Sequence, residues 1–392
     1  ASFAAHALGN IGAHALPSLM AGLGSDDRRV RRGVAGALLY MKGESVCSAV
    51  SPLAEALADE DHVVRTRAAM VLFHLGPAAR SAVPALLGSL GHSDPDLRAL
   101  AVGALGSIQD DRPEVVSALA SALSDSDARV RRAAVGTLGS LGSGQAVPAL
   151  VKVLHGSSDD MAMLAAHALG SLTAWPQLTV PALVAATRTG GHDTRPAAIR
   201  ALGKMGAAGG APLLAMLDDR DPKVRVAAAC ALGDVGAEAP EGISSLIDAL
   251  GDEEPEVRSA AASALHAIGP AASRSIPALI AAIAEPSTQA GWALASMGEM
   301  AIQPLVAAFT SPLVGIRVGA AEALTFWWSL QPDAPEHIEA VSTLVKALDH
   351  RDPDISFRAA VALRRIGTAA RRAIPARWQA FVEAARIETG GC

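Results

Sequence analysis

The sequence predicts an all-α fold, a right-handed α-solenoid of about eleven two-helix repeats with the second helix of each pair, helix B, lining the concave face. Three observations carry this. First, a short string recurs along the whole chain at intervals of 29 to 39 residues, most of them between 30 and 34. A self-similar period of that size marks stacked supersecondary units. Second, the composition is 51% hydrophobic but only 3% aromatic. The apolar content is therefore mostly Ala, Leu and Val, and Ala and Leu are strong helix formers. Third, the alternating β-branched and aromatic pattern of strands is missing.

The recurring string is anchored by a Leu in an Ala-Leu-Gly-like close, at Leu8, Leu38, Leu72, Leu105, Leu138, Leu169, Leu202, Leu232, Leu265, Leu294, Leu324 and Leu363. Helix A of each unit is short and carries Pro in or before it, as in AVPALLGSL, AVPALVKVL and SIPALIAAI. Proline fits a helix's first turn, where no amide donor is needed. An acidic turn follows. An aspartate eleven residues before the anchor (Asp27, Asp61, Asp94, Asp127, Asp221, Asp352) then stands where a helix start favours a carboxylate. The closing glycine is a helix C-cap signal.

Seven residues before the anchor stands an arginine: Arg31, Arg65, Arg98, Arg131, Arg195, Arg225, Arg258 and Arg317. Seven residues is two helical turns, so this charge lies on the face of the core leucine and requires a partner. The acidic turns of its own or a neighbouring repeat supply one. The spacing therefore predicts a structural Arg–Asp ladder, with bidentate geometry available. An anion-binding stripe is the functional alternative.

The strings DPKVRVAAACALGDVG (221–236), SDARVRRAAVGTLGSLG (126–142) and EPEVRSAAASALHAIG (254–269) resemble HEAT repeats of the short bacterial type, also found in phycobilisome-lyase-like proteins. The resemblance covers essentially the whole chain and implies one solenoid over residues 1–392. That solenoid starts mid-repeat, with irregular repeats near 143–206 and 270–329 and a basic C-terminal cap over 330–392. Scaffolds of this kind serve many roles, so the resemblance speaks for fold and not for one function.

Function is sought where the repeats stop agreeing. Positions two before and two after the anchor turn about 160–200° away from the core, at roughly 100° per residue, and face the concave side. Most are small. Larger or chemically active residues gather at His6, Tyr40, Met70 and His74, and again at His167, Arg200, Lys204, Asp234, Trp292, Glu322 and Phe326. The second group is the candidate partner-binding site. An exposed Trp in a chain this poor in aromatics is a candidate hot spot. The alternative for Trp292 is that it fills a gap left by a shorter repeat. Trp327 replaces an apolar core residue, and Trp328 takes the closing glycine position.

Catalytic and cofactor signals are absent from the sequence. Deoxyhypusine hydroxylases resemble this fold and hold two irons on His-Glu pairs, but none of the eleven histidines here is followed by Glu. No HExxH, CxxC or phosphate-binding loop occurs, so no metal and no cofactor are expected. The formal net charge of -6 argues against nucleic acid. No apolar run of membrane-spanning length is free of Gly, Pro and charge. Three widely spaced cysteines suggest reduced thiols and a cytoplasmic setting. The chain opens without Met on what looks like the second half of a repeat, which suggests processing or excision from something longer, and an end open to self-association.

Two readings follow. The first is a non-enzymatic scaffold that binds a protein or peptide on its concave face. The second is an enzyme or small-molecule binder, bilin-lyase-like or other, with its site at the irregular repeats around Trp292 to Trp328.

Overall fold

The computed structural model describes residues 16–41, 44–238, 240–284, 289–309, 311–330, 337–366 and 374–385. Every regular element among them is helical. The chain divides into two compact units, Ala1–Ala201 and Leu202–Cys392.

Odd-numbered helices below are A helices and even-numbered ones are B helices. Unit 1 holds α1 (Leu16–Leu23), α2 (Arg28–Tyr40), α3 (Val50–Ala56), α4 (His62–Leu75), α5 (Val83–Ser89), α6 (Pro95–Ile108), α7 (Pro113–Ala122), α8 (Ala128–Ser140), α9 (Val147–Gly156), α10 (Asp159–Ser171) and α11 (Pro176–Thr189). The unit boundary falls near the end of α12 (Thr194–Gly203). Unit 2 continues with α13 (Ala207–Met216), α14 (Pro222–Val235), α15 (Pro240–Ala249), α16 (Pro255–Ile268), α17 (Ile276–Ala282), α18 (Ala290–Ser296), α19 (Glu299–Ala308), α20 (Val314–Leu330), α21 (His337–Ala347), α22 (Pro353–Ile366) and α23 (Ala376–Ala384). Within each unit a B helix packs on its own A helix and on the B helices before and after it. The fold is thus an all-α solenoid of two-helix repeats.

The core lies between the A and B layers. Each repeat contributes one leucine from each side: Leu53, Leu86, Leu119 and Leu150 from A helices, and Leu72, Leu105, Leu138 and Leu169 from B helices, all fully buried. Leu246 with Leu265 and Leu279 with Leu294 continue the pattern in unit 2. Burying a leucine stabilises by roughly 1.5–3 kcal/mol, so these rows account for much of the apolar driving force.

The glycine that follows the anchor leucine is what brings successive B helices together. A Cβ on Gly139 would sit 3.0 Å from the Ala168 Cα, one on Gly170 3.0 Å from the Ala201 Cα, and one on Gly233 2.9 Å from the Ala264 Cα. Real Cβ atoms do not approach that closely, so these positions require the missing side chain. The helix-closing glycine of the string does a different job. Gly76, Gly236 and Gly269 end their helices at φ 55°, 66° and 67°, the left-handed side that glycine enters freely.

Helix A departs from expectation in three repeats. Pro181, Pro212 and Pro304 lie inside α11, α13 and α19, each of which begins about a turn and a half before its proline. Elsewhere a 3-10 segment fills that place, as over Gly76–Ala82 and Gly269–Ser275. The helical run His62–Ser89 is long and apolar enough to cross a membrane by length and composition alone. Gly76, Pro77, Pro84 and Gly88 and the charges of Arg65, Arg67 and Arg80 interrupt that run. In the fold, Gly76 breaks it into α4 and α5, both of which pack against α6.

Candidate functional site

Seven of the arginines two turns before an anchor share one half of a clamp, and Arg31, Arg98 and Arg225 complete its second half; Arg195 instead donates its Nε to Thr187 O at 2.9 Å. One half is local. The Nη1 of Arg31, Arg65, Arg98, Arg131, Arg225, Arg258 and Arg317 donates to carbonyls of its own A–B turn, for instance Arg98 to His92 O at 2.9 Å and Ser93 O at 3.1 Å. The other half reaches the next repeat. Arg31 grips Asp59 through Nε at 2.7 Å and Nη2 at 3.1 Å. Arg98 grips Asp125 at 2.8 and 2.7 Å, and Arg225 grips Asp252 at 2.8 and 2.8 Å. These guanidinium groups hold the Asp125 and Asp252 carboxyls below the usual carboxylate range.

The gripped acid stands two residues before the expected aspartate, which has a separate duty. Asp27, Asp61, Asp94, Asp127 and Asp221 cap the N-termini of their B helices, accepting from backbone amides such as Arg29 N at 2.8 Å and Lys223 N at 3.0 Å. Asp352 lies 3.6 Å from the Arg317 guanidinium. Asp61 also takes a bidentate bond from Arg32, which brings its carboxyl down to about 2. Charge here is matched and structural.

The clamp is altered at Arg65. Its partner position holds His92, whose Nδ1 accepts from Asp94 N at 2.9 Å just as the carboxylates do in other turns. With Nδ1 accepting, the imidazole has no second acceptor to offer, and the Arg65 Nε is buried without a hydrogen-bond partner. A carboxylate of the next cap, Asp94, stands 3.7 Å from its Nη2.

Most of the candidate residues that flank an anchor face solvent. Arg200, Lys204, Asp234, Trp292 and Glu322 are exposed, and His167 and Phe326 are half-buried. Arg200 falls in unit 1 with His167, and Lys204 falls in unit 2. The contact among these residues is aromatic. Trp292 on α18 and Phe326 on α20 meet with ring centroids 3.9 Å apart, and Trp292 still shows 51% of its surface. Glu322 lies one turn before Phe326 on the same helix face, with its carboxylate exposed. His266 on α16 approaches from the other side, its Nδ1 3.2 Å from the Trp292 carbonyl.

Asp234 instead neighbours Cys230, whose thiol is pushed up first by burial and then by that carboxylate. A protonated thiol is a poor nucleophile. Among the described residues no three His, Cys, Asp or Glu side chains come together as a metal cluster. The side chains of Trp327, Trp328, Arg365, Arg371, Arg372 and Arg386, and all of His6, lie outside the described residues.

Phe73 is the residue that sequence reasoning missed. It stands directly after the anchor, where half of the anchors are followed by the close-packing glycine, and its ring is turned onto the next B helix, 3.4 Å from where a Gly103 Cβ would be. His266 occupies the same register and is turned onto Trp292. A large residue in place of that glycine is thus a readable signal: its side chain is diverted to the open face of the B layer. Tyr40 at 49%, Met70 at 38% and Phe73 at 44% exposed make a second apolar patch there, in unit 1.

Comparison with known proteins agrees with this architecture. A family profile described as HEAT repeats matches residues 1–73, 50–119, 83–170 and 210–298. Among solved structures, Kap121p bound to Nup53p is similar at 14% identity and a TM-score of 0.58, over 94% of this chain and 46% of that one. The karyopherin Kap121p bound to the extreme C-terminus of the protein phosphatase Cdc14p gives 15% and 0.52 over the same shares. Kap95p with RanGDP gives 13% and 0.54, over 94% of this chain and 63% of that one. This chain thus spans about half the length of Kap121p, and the likeness is one of fold. Among curated proteins none matches the sequence.

Proposed function

This chain belongs to the HEAT-repeat family, and on that premise we propose that it is a non-enzymatic interaction scaffold that binds a protein or peptide on the open face of its B helices. The observation that carries this is the Trp292–Phe326 pair in unit 2. A half-exposed indole held against a second ring is a large apolar surface already ordered before any partner arrives. Aromatic anchors of that kind dominate binding energy, because little side-chain entropy remains to be lost on docking. Glu322 beside the pair would supply a polar contact at its rim. The matched arginines and aspartates of the turns offer no comparable free chemistry. The solved relatives with bound protein partners support protein ligands in general for this architecture.

The test is a displayed peptide library selected on the full chain and then measured against Trp292→Ala and Phe326→Ala. Truncating a hot-spot aromatic costs about 2 kcal/mol or more, so affinity for the selected peptides should fall by about 30-fold. Thermal melting of Trp292→Ala should be nearly unchanged, since Trp292 is half-exposed. Selected peptides that ignore both substitutions would remove this site from consideration.

A further inference from the structure

The Tyr40–Met70–Phe73 patch of unit 1 is a surface of its own, separate from the Trp292 pair in chain position, in unit and in electrostatics. We propose that it docks an acidic, extended segment of a partner protein carrying a bulky apolar side chain.

The apolar half of the argument is the exposure of three large side chains on two adjacent B helices. Tyr40 ends α2, while Met70 and Phe73 lie one turn apart on α4. His74 braces Phe73 edge-on, with ring centroids 5.5 Å apart and planes at 86°, and its Nδ1 is 2.8 Å from the Met70 carbonyl. The next B helix presents Gly103, which has no side chain, beneath the Phe73 ring. Exposed apolar groups clustered in this way mark interaction sites, whereas single ones do not.

The charge half decides the occupant. Along the same open face, toward the helix N-termini, several arginines are matched: Arg32 by Asp61, Arg129 by Asp127 at 2.9 Å and by Asp96, and Arg132 by Asp160 at 3.2 Å. Three on the helices of the patch are not. Arg28 and Arg29 are exposed, Arg67 spends one nitrogen on the Arg32 carbonyl, and none of the three pairs with a carboxylate among the described residues. Arg67 precedes Met70 by three residues, so its guanidinium and the patch share one helix face. In a chain of net charge -6, the two helices that carry the apolar surface thus also carry guanidinium groups that no carboxylate among the described residues matches. Discrete carboxylates on a peptide answer them in bidentate geometry. A continuous phosphate backbone would instead meet the interleaved Asp61, Asp96 and Asp160 carboxylates.

The experiment is selection of displayed random peptides on the full chain bearing Trp292→Ala and Phe326→Ala, so that unit 2 does not dominate. The selected peptides are then measured by fluorescence anisotropy, with a twelve-nucleotide oligo-dT as the second probe. Peptides rich in Asp and Glu around a Phe, Leu or Trp are expected. Their affinity should fall about 10-fold with Phe73→Ser and several-fold with Arg67→Gln or Arg29→Gln, and should weaken as salt rises past the point where the Debye length is about 10 Å. Phe73 and Arg29 are exposed and Arg67 is half-buried, and unchanged melting curves confirm an intact fold. Neutral or basic peptides, indifference to all three substitutions, or oligo-dT binding with the same dependence each overturns the proposal. Because Trp292 is absent throughout, failure here leaves the unit 2 reading standing.

Discussion

Replacing His92 by Asp should stabilise unit 1. The Arg65 Nε is buried with no acceptor, and a buried unsatisfied donor costs about 1–3 kcal/mol. The remedy is visible in the sister turns. Asp125 accepts the Asp127 amide at 2.8 Å with one oxygen, and Asp59 and Asp252 do the same for Asp61 and Glu254 at 2.8 and 2.9 Å. Each of these also takes an arginine Nε, at 2.7 to 2.8 Å. A carboxylate at position 92 would keep the amide bond now made by the imidazole and add the missing acceptor. Allowing for repulsion from Asp94, the net gain should be about 1–2 kcal/mol. For a unit of this size that raises the melting midpoint by about 2–8 °C. Differential scanning calorimetry of the single variant, of Arg65→Lys and of the pair gives the coupling directly. Lysine cannot donate in fork geometry, so the gain should vanish in the double variant. A His92→Asp chain that melts no higher than the parent, or a gain that survives Arg65→Lys, would refute the clamp reasoning.

The intact clamps should behave in the opposite sense. Arg225→Ala leaves the part-buried Asp252 without its bidentate partner and should cost about 3 kcal/mol in urea unfolding, with Arg225→Lys recovering only part. Gly139→Ala and Gly233→Ala force a Cβ to within about 3 Å of the neighbouring helix backbone and should destabilise by about 1–3 kcal/mol, whereas Gly136→Ala, with nothing within 4 Å, should not. The Asp61 carboxyl titrates near 2 because Arg32 and two backbone amides hold its charged form. Its folded value lies below its ordinary one, so its contribution is present above about pH 4 and is lost as pH falls toward 2. Asp61→Asn should therefore be less stable than the parent at pH 6, and the gap should close between pH 4 and pH 2, as read from urea midpoints across that range.

The repeat period, the helix pairs, the capping aspartates and the exposure of Arg200, Lys204, Asp234, Trp292 and Glu322 beside their anchor leucines were all legible in the sequence. Each depends on contacts within one repeat, so spacing along the chain encodes it. The clamp arginines were legible as needing acids, because a charge two turns from a core leucine cannot go unmatched. Which acid each one takes was not legible. Asp59, Asp125 and Asp252 are chosen by the offset between stacked helices, a distance that no single repeat contains.

The same limit hid Phe73. Its position reads as an irregular residue beside an anchor, and only the neighbouring helix shows where the ring goes, against Gly103. The Trp292–Phe326 contact likewise joins two repeats whose strings match the pattern poorly. The sequence by itself determined what each repeat is. Only the tertiary structure decided what two repeats make together, because the ion pairs, the glycine contacts and the exposed apolar patches all arise across the seam between helices about 30 residues apart in the chain.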